Sequence, residues 1–475
     1  MARYDVVVVG GGPNGLAAAI TMALDGRSVL LREANDTVGG AARSEELTLP
    51  GFVHDPYSAI HPLGVGSPFF NSLPLRDHGL EWVHPDAPFA HPFDDGTAAL
   101  LERSFHATGE WLGEDASNWR RLHEPLAAAW DRLAPDILDP TGAPSHPLLL
   151  ARFGLPSILS AERLCRTVFD TDRARALFAG SAAHSGLPLG RMATAAYGMM
   201  LNVAGHAVGW PCPRGGCGRL SEALGSYFRS LGGEIETGST VEDLRELPHA
   251  RVVLLDLTPR QVLAVAGDRL PSRYRARLTK FAYGPGVFKM DWALSEPIPW
   301  AARECARAGT VHVAGSFQEV LEAERHPADG GHAERPYLLL AQPTLFDASR
   351  APEGKHVAWA YCHVPNGSTR DMSGRMEAQI ERFAPGFRDV ILARSELTSR
   401  QLEDRDANLV GGDVNGGAGS ARQIIFRPIA SLDPYATPVE GLYICSASTP
   451  PGGGVHGMCG HNAARSALKW LRRQR

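Results

Sequence analysis

The chain has 475 residues, 44% hydrophobic and 21% charged, with a formal net charge of −5. That length predicts two or three lobes with a large core, and the lack of any basic block argues against nucleic acid as a partner. Seven cysteines without a CxxC pair predict neither a disulfide framework nor a metal site, and no run reaches the ~18 apolar residues of a spanning helix.

The N-terminus runs into "YDVVVVGGGPNGLAAAITMALDGRSVLLREA" without a charged leader, so the cytoplasm is the expected location. Val6 to Val9 are continuously apolar, the pattern of a buried parallel strand. Gly10, Gly12 and Gly15 then fit G-x-G-x-x-G, with Pro13 and Asn14 inside it; Leu16 to Leu24 reads as helix, and Ser28 to Leu31 is a second strand ending at Glu33, with Ala34 next to it. Gly10 permits the tight turn, Gly12 lets a pyrophosphate approach the backbone, and Gly15 lets helix and strand pack closely. The helix start offers free N–H groups and its positive dipole end to phosphate. Glu33 can accept from ribose hydroxyls and disfavours a 2′-phosphate. A dinucleotide site is expected. Gly39, Gly40, Ala41 and Arg43 follow and by themselves read as a loop. No second strand–GxGxxG–helix unit occurs, so a separate NAD(P)H domain is not expected.

Residues 71–210 read as largely helical, with "EDASNWRRLHEPLAAAWDRL" as one amphipathic helix starting near Asp115. His146 to Leu159 is expected as core or tunnel wall; with Arg152 its one charge, an electrostatic lipid anchor is the weaker reading. The stretch from Ala195 to Pro211 carries Tyr197, Met200, His206 and Trp210, as pocket lining or as core helix. Residues 286–421 mix strands and helices, with "GVFKMDWAL", "YLLLAQP" and "HVAWAYCHV" as strands. Lys289 lies in the first of these, facing either a pocket or solvent. His61 has a pKa suited to proton transfer, or is a hydrogen-bonded core or surface residue. His363, Asp413 and Asn415 read as loop and pocket structure. Near the end, "GLYICSASTPPGGGVHGMCGHNAARSALKWL" places a strand, two prolines and Gly452 to Gly454 ahead of a helix from about His456.

Three stretches carry a resemblance. Gly39–Gly40 with Arg43, "PRGGCGRLSEALGSYFRSLGGEIETGSTVEDL" and "CSASTPPGGGVHG" resemble segments of the phytoene desaturase-like NAD(P)/FAD-dependent oxidoreductases, in the amine oxidase and phytoene desaturase flavoprotein superfamily. The resemblance covers most of the chain. It implies an α/β fold: a discontinuous Rossmann-like FAD-binding domain of glutathione reductase type over 1–70, 211–285 and 422–475. A mixed α+β substrate domain would take 71–210 and 286–421. It implies FAD as cofactor, with Gly39, Gly40 and Arg43 closing over the diphosphate and the Val241 backbone touching adenine. Ser446, Ala447, Gly454, Val455 and His456 would hold the flavin, with the three glycines making room for its ring. Asp256 and Leu257 depart from the small residues usual after that strand. Lys289 stands where similar amine oxidases carry a lysine holding a water near flavin N5, and His61 lies in a stretch passing beside the ring. Lys289, His61 and His456 are the catalytic candidates; Tyr197, Met200, His206, Trp210 and His363 are the pocket candidates. The reaction implied is hydride removal from carbon of a mostly apolar small molecule, giving C=C or C=N, with oxygen or a quinone as acceptor. Redox-neutral double-bond isomerisation and a non-catalytic flavin-binding scaffold are the alternatives. Peripheral membrane contact is compatible with this resemblance.

Overall fold

The computed structural model describes residues 4–140 and 142–474. The expectation of a chain start without a leader falls partly on residues 1–3, which lie outside them. In chain order the strands of the two main sheets are β1 (Val6–Val9), β2 (Val29–Arg32), β3 (Ala87–Pro92), β4 (Ala98–Leu101), β5 (Glu234–Glu236) and β6 (Val252–Leu255). They continue with β7 (Gly286–Leu294), β8 (Ala308–Val313), β9 (Leu338–Ala341), β10 (His356–Val364), β11 (Ile391–Leu397) and β12 (Leu442–Ile444). The helices used below are α1 (Pro13–Leu24), α2 (Ala116–Ala127), α3 (Trp130–Leu138), α4 (Pro147–Ser157), α5 (Ala195–Ala207), α6 (Gly218–Ser230) and α7 (Met458–Arg473).

The four valines of β1 are buried because both edges of that strand and both of its faces are covered. It is the centre of a five-stranded sheet in the order β12-β6-β1-β2-β5, parallel at every pairing. Continuous Val and Leu runs suit such a doubly covered sheet, where period-2 alternation would bury polar groups. Helix α1 packs against α6 and α7, and Thr21 Oγ1 meets His461 Nδ1 at 2.9 Å across the α1–α7 contact.

The second sheet has seven strands in the order β11-β7-β10-β9-β8-β3-β4. Its longest pairing runs antiparallel from Gly286 opposite Val364 to Leu294 opposite His356. Strands β3 and β4 come from the stretch expected to be largely helical. Their sequences, "APFAHP" and "AALL", are wholly buried, and that burial overrides weak strand propensity. The single helix expected over residues 114–133 is two. Pro125 has no N–H, which leaves the Arg121 carbonyl to Arg152 Nη2 at 3.4 Å. The chain breaks at Ala129 (φ −113°, ψ 19°) before α3 buries Trp130 and Leu133. Helix α4 is core on one face only: Phe153 and Ser157 are buried, while Leu148 (87% exposed) and Leu155 (70%), and Ile158 (54%) just past its end, are not.

Among the described residues no helix is long and apolar enough to cross a membrane. The seven cysteines are buried and unpaired.

Candidate active site

The turn Gly10–Gly12 joins β1 to α1, whose first residue is Pro13. A Cβ on Gly15 would come 1.9 Å from the Gly10 carbonyl oxygen, so only glycine lets the helix sit on its own turn. Two carboxylates brace the turn from below. Glu33, just past β2, accepts from the Gly11 N–H at 2.7 Å and from the Asn35 N–H at 2.8 Å. Asp256, just past β6, accepts from the Gly15 N–H at 2.8 Å. Burial pushes the Asp256 carboxyl up to about 7 despite that hydrogen bond, helped by the charges of Asp406 and Glu33.

One cavity of about 870 Å³ opens from this turn. The sequence-predicted residues in its wall are Gly10, Gly12, Pro13, Asn14, Glu33, Ala34, Gly40, Ala41 and Val241, together with His61, Tyr197, Met200, Trp210, Lys289, Ser446, Ala447, Gly454, Val455 and His456. Ile137, Leu138, Phe153, Leu201 and Leu339 add apolar lining. That volume and lining are those of a site for an organic molecule.

Lys289 is almost fully buried on β7, with its ammonium paired to the Asp291 carboxylate two residues on along the same face. It lies 5.5 Å from the centre of the Trp359 ring. Burial lowers its pKa, and Asp291 opposes the shift. The pairing of β7 with β10 sets Tyr361 opposite Lys289 and Trp359 opposite Asp291, so one face of two strands builds an aromatic wall around a single cation. The solvated strand face is thereby ruled out for Lys289.

His61 caps no helix with its side chain. Its Nε2 is buried without a hydrogen-bond partner among the described residues, and burial lowers its pKa to about 4. His456 is also lowered to about 4 by burial. Its Nδ1 accepts the Met458 N–H at 3.0 Å, which starts α7, and its carbonyl accepts from Ser67 Oγ at 2.7 Å. Both imidazoles are therefore neutral at pH 7. The glycines before His456 serve the protein as well as the cavity. A Cβ on Gly452 would meet Arg427 Nη1 at 2.6 Å, and one on Gly453 the Asn415 carbonyl oxygen at 2.7 Å; Gly454 has φ +125°. Room for backbone and a guanidinium thus accounts for Gly452, which is outside the cavity wall, and in part for Gly453.

Five predicted residues do not line the cavity. His206 is in the helical core, accepting from Trp119 Nε1 at 2.9 Å and stacked on Phe105 at 3.7 Å between ring centres, with its pKa lowered to about 3 by burial. His363 is held by Glu324 at 2.9 Å, where β10 has passed the cavity. Gly15 and Gly39 shape the turn behind it. Arg43 reaches the Tyr57 hydroxyl at 3.1 Å, and its buried Nε has no hydrogen-bond partner among the described residues. Asn415 lines the cavity, whereas Asp413 is outside its wall and ties loops together, accepting from the N–H groups of Gly284, Asn415 and Gly417.

Sequence reasoning missed Tyr57, Trp359 and Tyr361, and the segment Asp404 to Asn408, all of which line the cavity. The period-2 alternation of "HVAWAYCHV" was a signal for Trp359 and Tyr361, because Lys289 sits on an adjacent strand of the same kind. Nothing local marks Asp404 to Asn408. They reach the cavity through a tertiary contact, in which Asn408 Oδ1 accepts from the Thr258 N–H and Asn408 Nδ2 donates to the Asp256 carbonyl.

Residues 8–70 match the NAD(P)-binding Rossmann-like domain family. The chain is 27% identical to rat pyridine nucleotide-disulfide oxidoreductase domain-containing protein 2, over 99% of this chain and 94% of that one. It is 28% identical to a phytoene dehydrogenase of Streptomyces griseus, over 84% and 79% of the two chains. Its fold is similar to that of a putrescine oxidase triple mutant, with a TM-score of 0.64 and 17% identity over 99% of each chain. That last likeness is one of fold.

Proposed function

We propose that this chain is a phytoene desaturase-like flavoprotein oxidoreductase, as its similarity to a phytoene dehydrogenase and its Rossmann-like match support, that FAD is its cofactor and that it removes a hydride from carbon of a mostly apolar small molecule. The observation that carries the reading is that the glycine turn, the Gly454–His456 segment, the Lys289 wall and a set of apolar side chains line one cavity. The residues present fit FAD. The glycine turn leaves space over the helix start, Glu33 accepts three hydrogen bonds and keeps an Oε2 lone pair for a ribose hydroxyl, and Asn14 Oδ1 and His61 Nε2 are buried in the cavity wall without partners among the described residues.

Bound FAD would supply the two-electron acceptor. The chain's own residues do the rest. Gly10 and Gly11 give their N–H groups to the Arg32 carbonyl and to Glu33, which leaves the Gly12 N–H and the start of α1 to hold the diphosphate end. His61 and His456 offer neutral imidazoles, which orient by hydrogen bonding without adding charge. Lys289, held by Asp291 against Trp359, sets one cation in a desolvated wall. Its burial-lowered pKa makes it a ready donor of a proton, or a holder of water at Nζ. Phe153, Leu138, Met200 and Leu201 in the cavity wall exclude water and favour a substrate with little polarity. The product would carry a new C=C or C=N bond, and oxygen or a quinone would take the electrons.

The test is an absorption spectrum of the purified chain with added FAD. Bands near ~370 and ~450 nm are expected, bleached by dithionite and, in the presence of substrate, by substrate. Fast recolouring in air favours oxygen as acceptor. Product without net bleaching would move the assignment to double-bond isomerisation. A colourless protein that takes up no FAD would overturn the proposal.

A further inference from the structure

Asp256 stands where the cofactor's negative charge must go. Its Oδ2 accepts from the Gly15 N–H at 2.8 Å, and a Cβ on Gly12 would lie 3.0 Å from that same oxygen. The carboxyl thus reaches across the first turn of α1 and takes an N–H that such a helix start otherwise offers to phosphate. It is buried and yet forms part of the cavity wall. We propose that seating a dinucleotide diphosphate on the Gly10–Gly15 turn requires Asp256 to carry a proton, so that this chain takes up one proton together with its cofactor. The inference rests on the dinucleotide reading above.

Apart from the Gly15 N–H, the surroundings of Asp256 offer no relief for its charge. Glu33 faces it from the end of β2 and Asp406 from the segment over the cavity, and both are like charges. Cys445, after β12, and Cys459, on α7, face it as thiols that burial keeps neutral. Arg43 offsets Asp406, and no cation among the described residues offsets Asp256. A diphosphate adds further like charge at the same helix end. The group that yields is the one already nearest to neutral, since burial holds the Asp256 carboxyl up to about 7. The step is one of proton binding alone: a carboxylate and a solvent proton become a carboxylic acid, and no bond to the cofactor forms. The acid keeps an oxygen to accept from Gly15 and gains an O–H that a phosphate oxygen can accept.

The experiment is calorimetric titration of the full chain, freed of flavin, with FAD between pH 6 and 9, in buffers of different ionisation enthalpy. The Kd should be flat below pH ~7 and weaken by up to about tenfold per pH unit above it, with roughly 0.9 proton taken up at pH 8. Asp256→Asn keeps an acceptor for Gly15. It should abolish the uptake, flatten the Kd and bind FAD roughly tenfold tighter than the wild type at pH 8. Asp406→Asn should leave the uptake in place. A pH-independent Kd with no proton uptake in the wild-type chain overturns the proposal, even if Asp256→Asn fails to fold. Uptake lost in Asp406→Asn but kept in Asp256→Asn overturns it as well. A wild-type chain that binds no FAD at any pH overturns the dinucleotide reading instead, a distinct result.

Discussion

Replacing Lys289 by Met keeps most of the side chain's volume and removes its charge. Both members of the Lys289–Asp291 pair have side chains only 2% exposed. The lone Asp291 would then face His54 Nδ1 at 3.5 Å and otherwise a dry strand surface. Breaking a buried pair by removing one partner costs about 3–5 kcal/mol, most of it the desolvation of the charge left behind. Lys289→Met should therefore lower stability by that amount at pH 7. The deficit should shrink on acidification, because an abandoned buried carboxyl has a raised folded-state pKa and regains stability once protonated. The double variant Lys289→Met/Asp291→Asn removes both charges and should recover all but about 1–2 kcal/mol, the cost of imperfectly paired polar groups. Urea unfolding of wild type, single and double variants at pH 7 and pH 5 gives the comparison. A single variant within about 1 kcal/mol of wild type, or a double variant no better than the single, would refute the buried pair. The double variant is also the fair test of chemistry. It should bind FAD and slow flavin reduction or reoxidation, and unchanged rates for both would remove Lys289 from the mechanism.

Glu33→Ala removes the acceptor for the Gly11 N–H and should weaken FAD binding at least tenfold, about 1.4 kcal/mol, in a flavin-fluorescence titration; an unchanged Kd would remove Glu33 from the site. His206→Leu should lower stability by about 1–3 kcal/mol, since Trp119 Nε1 loses its acceptor. FAD uptake should be unaltered, and weakened uptake would return His206 to the cavity. His61, His456 and His461 are held to about 4, and His123, His184 and His206 to about 3, all by burial. The unfolded chain, with histidines near 6.5, therefore binds protons that the folded chain refuses, and stability is lost as pH falls from about 6.5 toward 4. Even one such residue costs about 2 kcal/mol between pH 6.5 and 5; a urea midpoint unchanged from pH 7 to 5 would contradict this.

The amino-acid sequence by itself determined what depends on neighbours along the chain. The valine run, the Gly10–Gly15 spacing and Glu33 at the end of β2 are local choices, and each reads directly as strand, turn and acceptor. So do "GVFKMDWAL" and "HVAWAYCHV", whose observed bounds coincide with β7 and β10. Tertiary structure decided which distant groups meet. Asp256 reaches Gly15 across 241 positions. The 404–408 segment lines the cavity through a contact made by Asn408, and β3 and β4 are strands because β3 pairs with β8 at the edge of the sheet that buries both. His206 and His363 have the same side chain as His61, and only packing sends the first to Trp119, the second to Glu324 and the third to the cavity wall. The physical reason is that backbone periodicity is set within a few residues, whereas the pKa, partner and exposure of a polar side chain are set by whatever the folded chain buries around it.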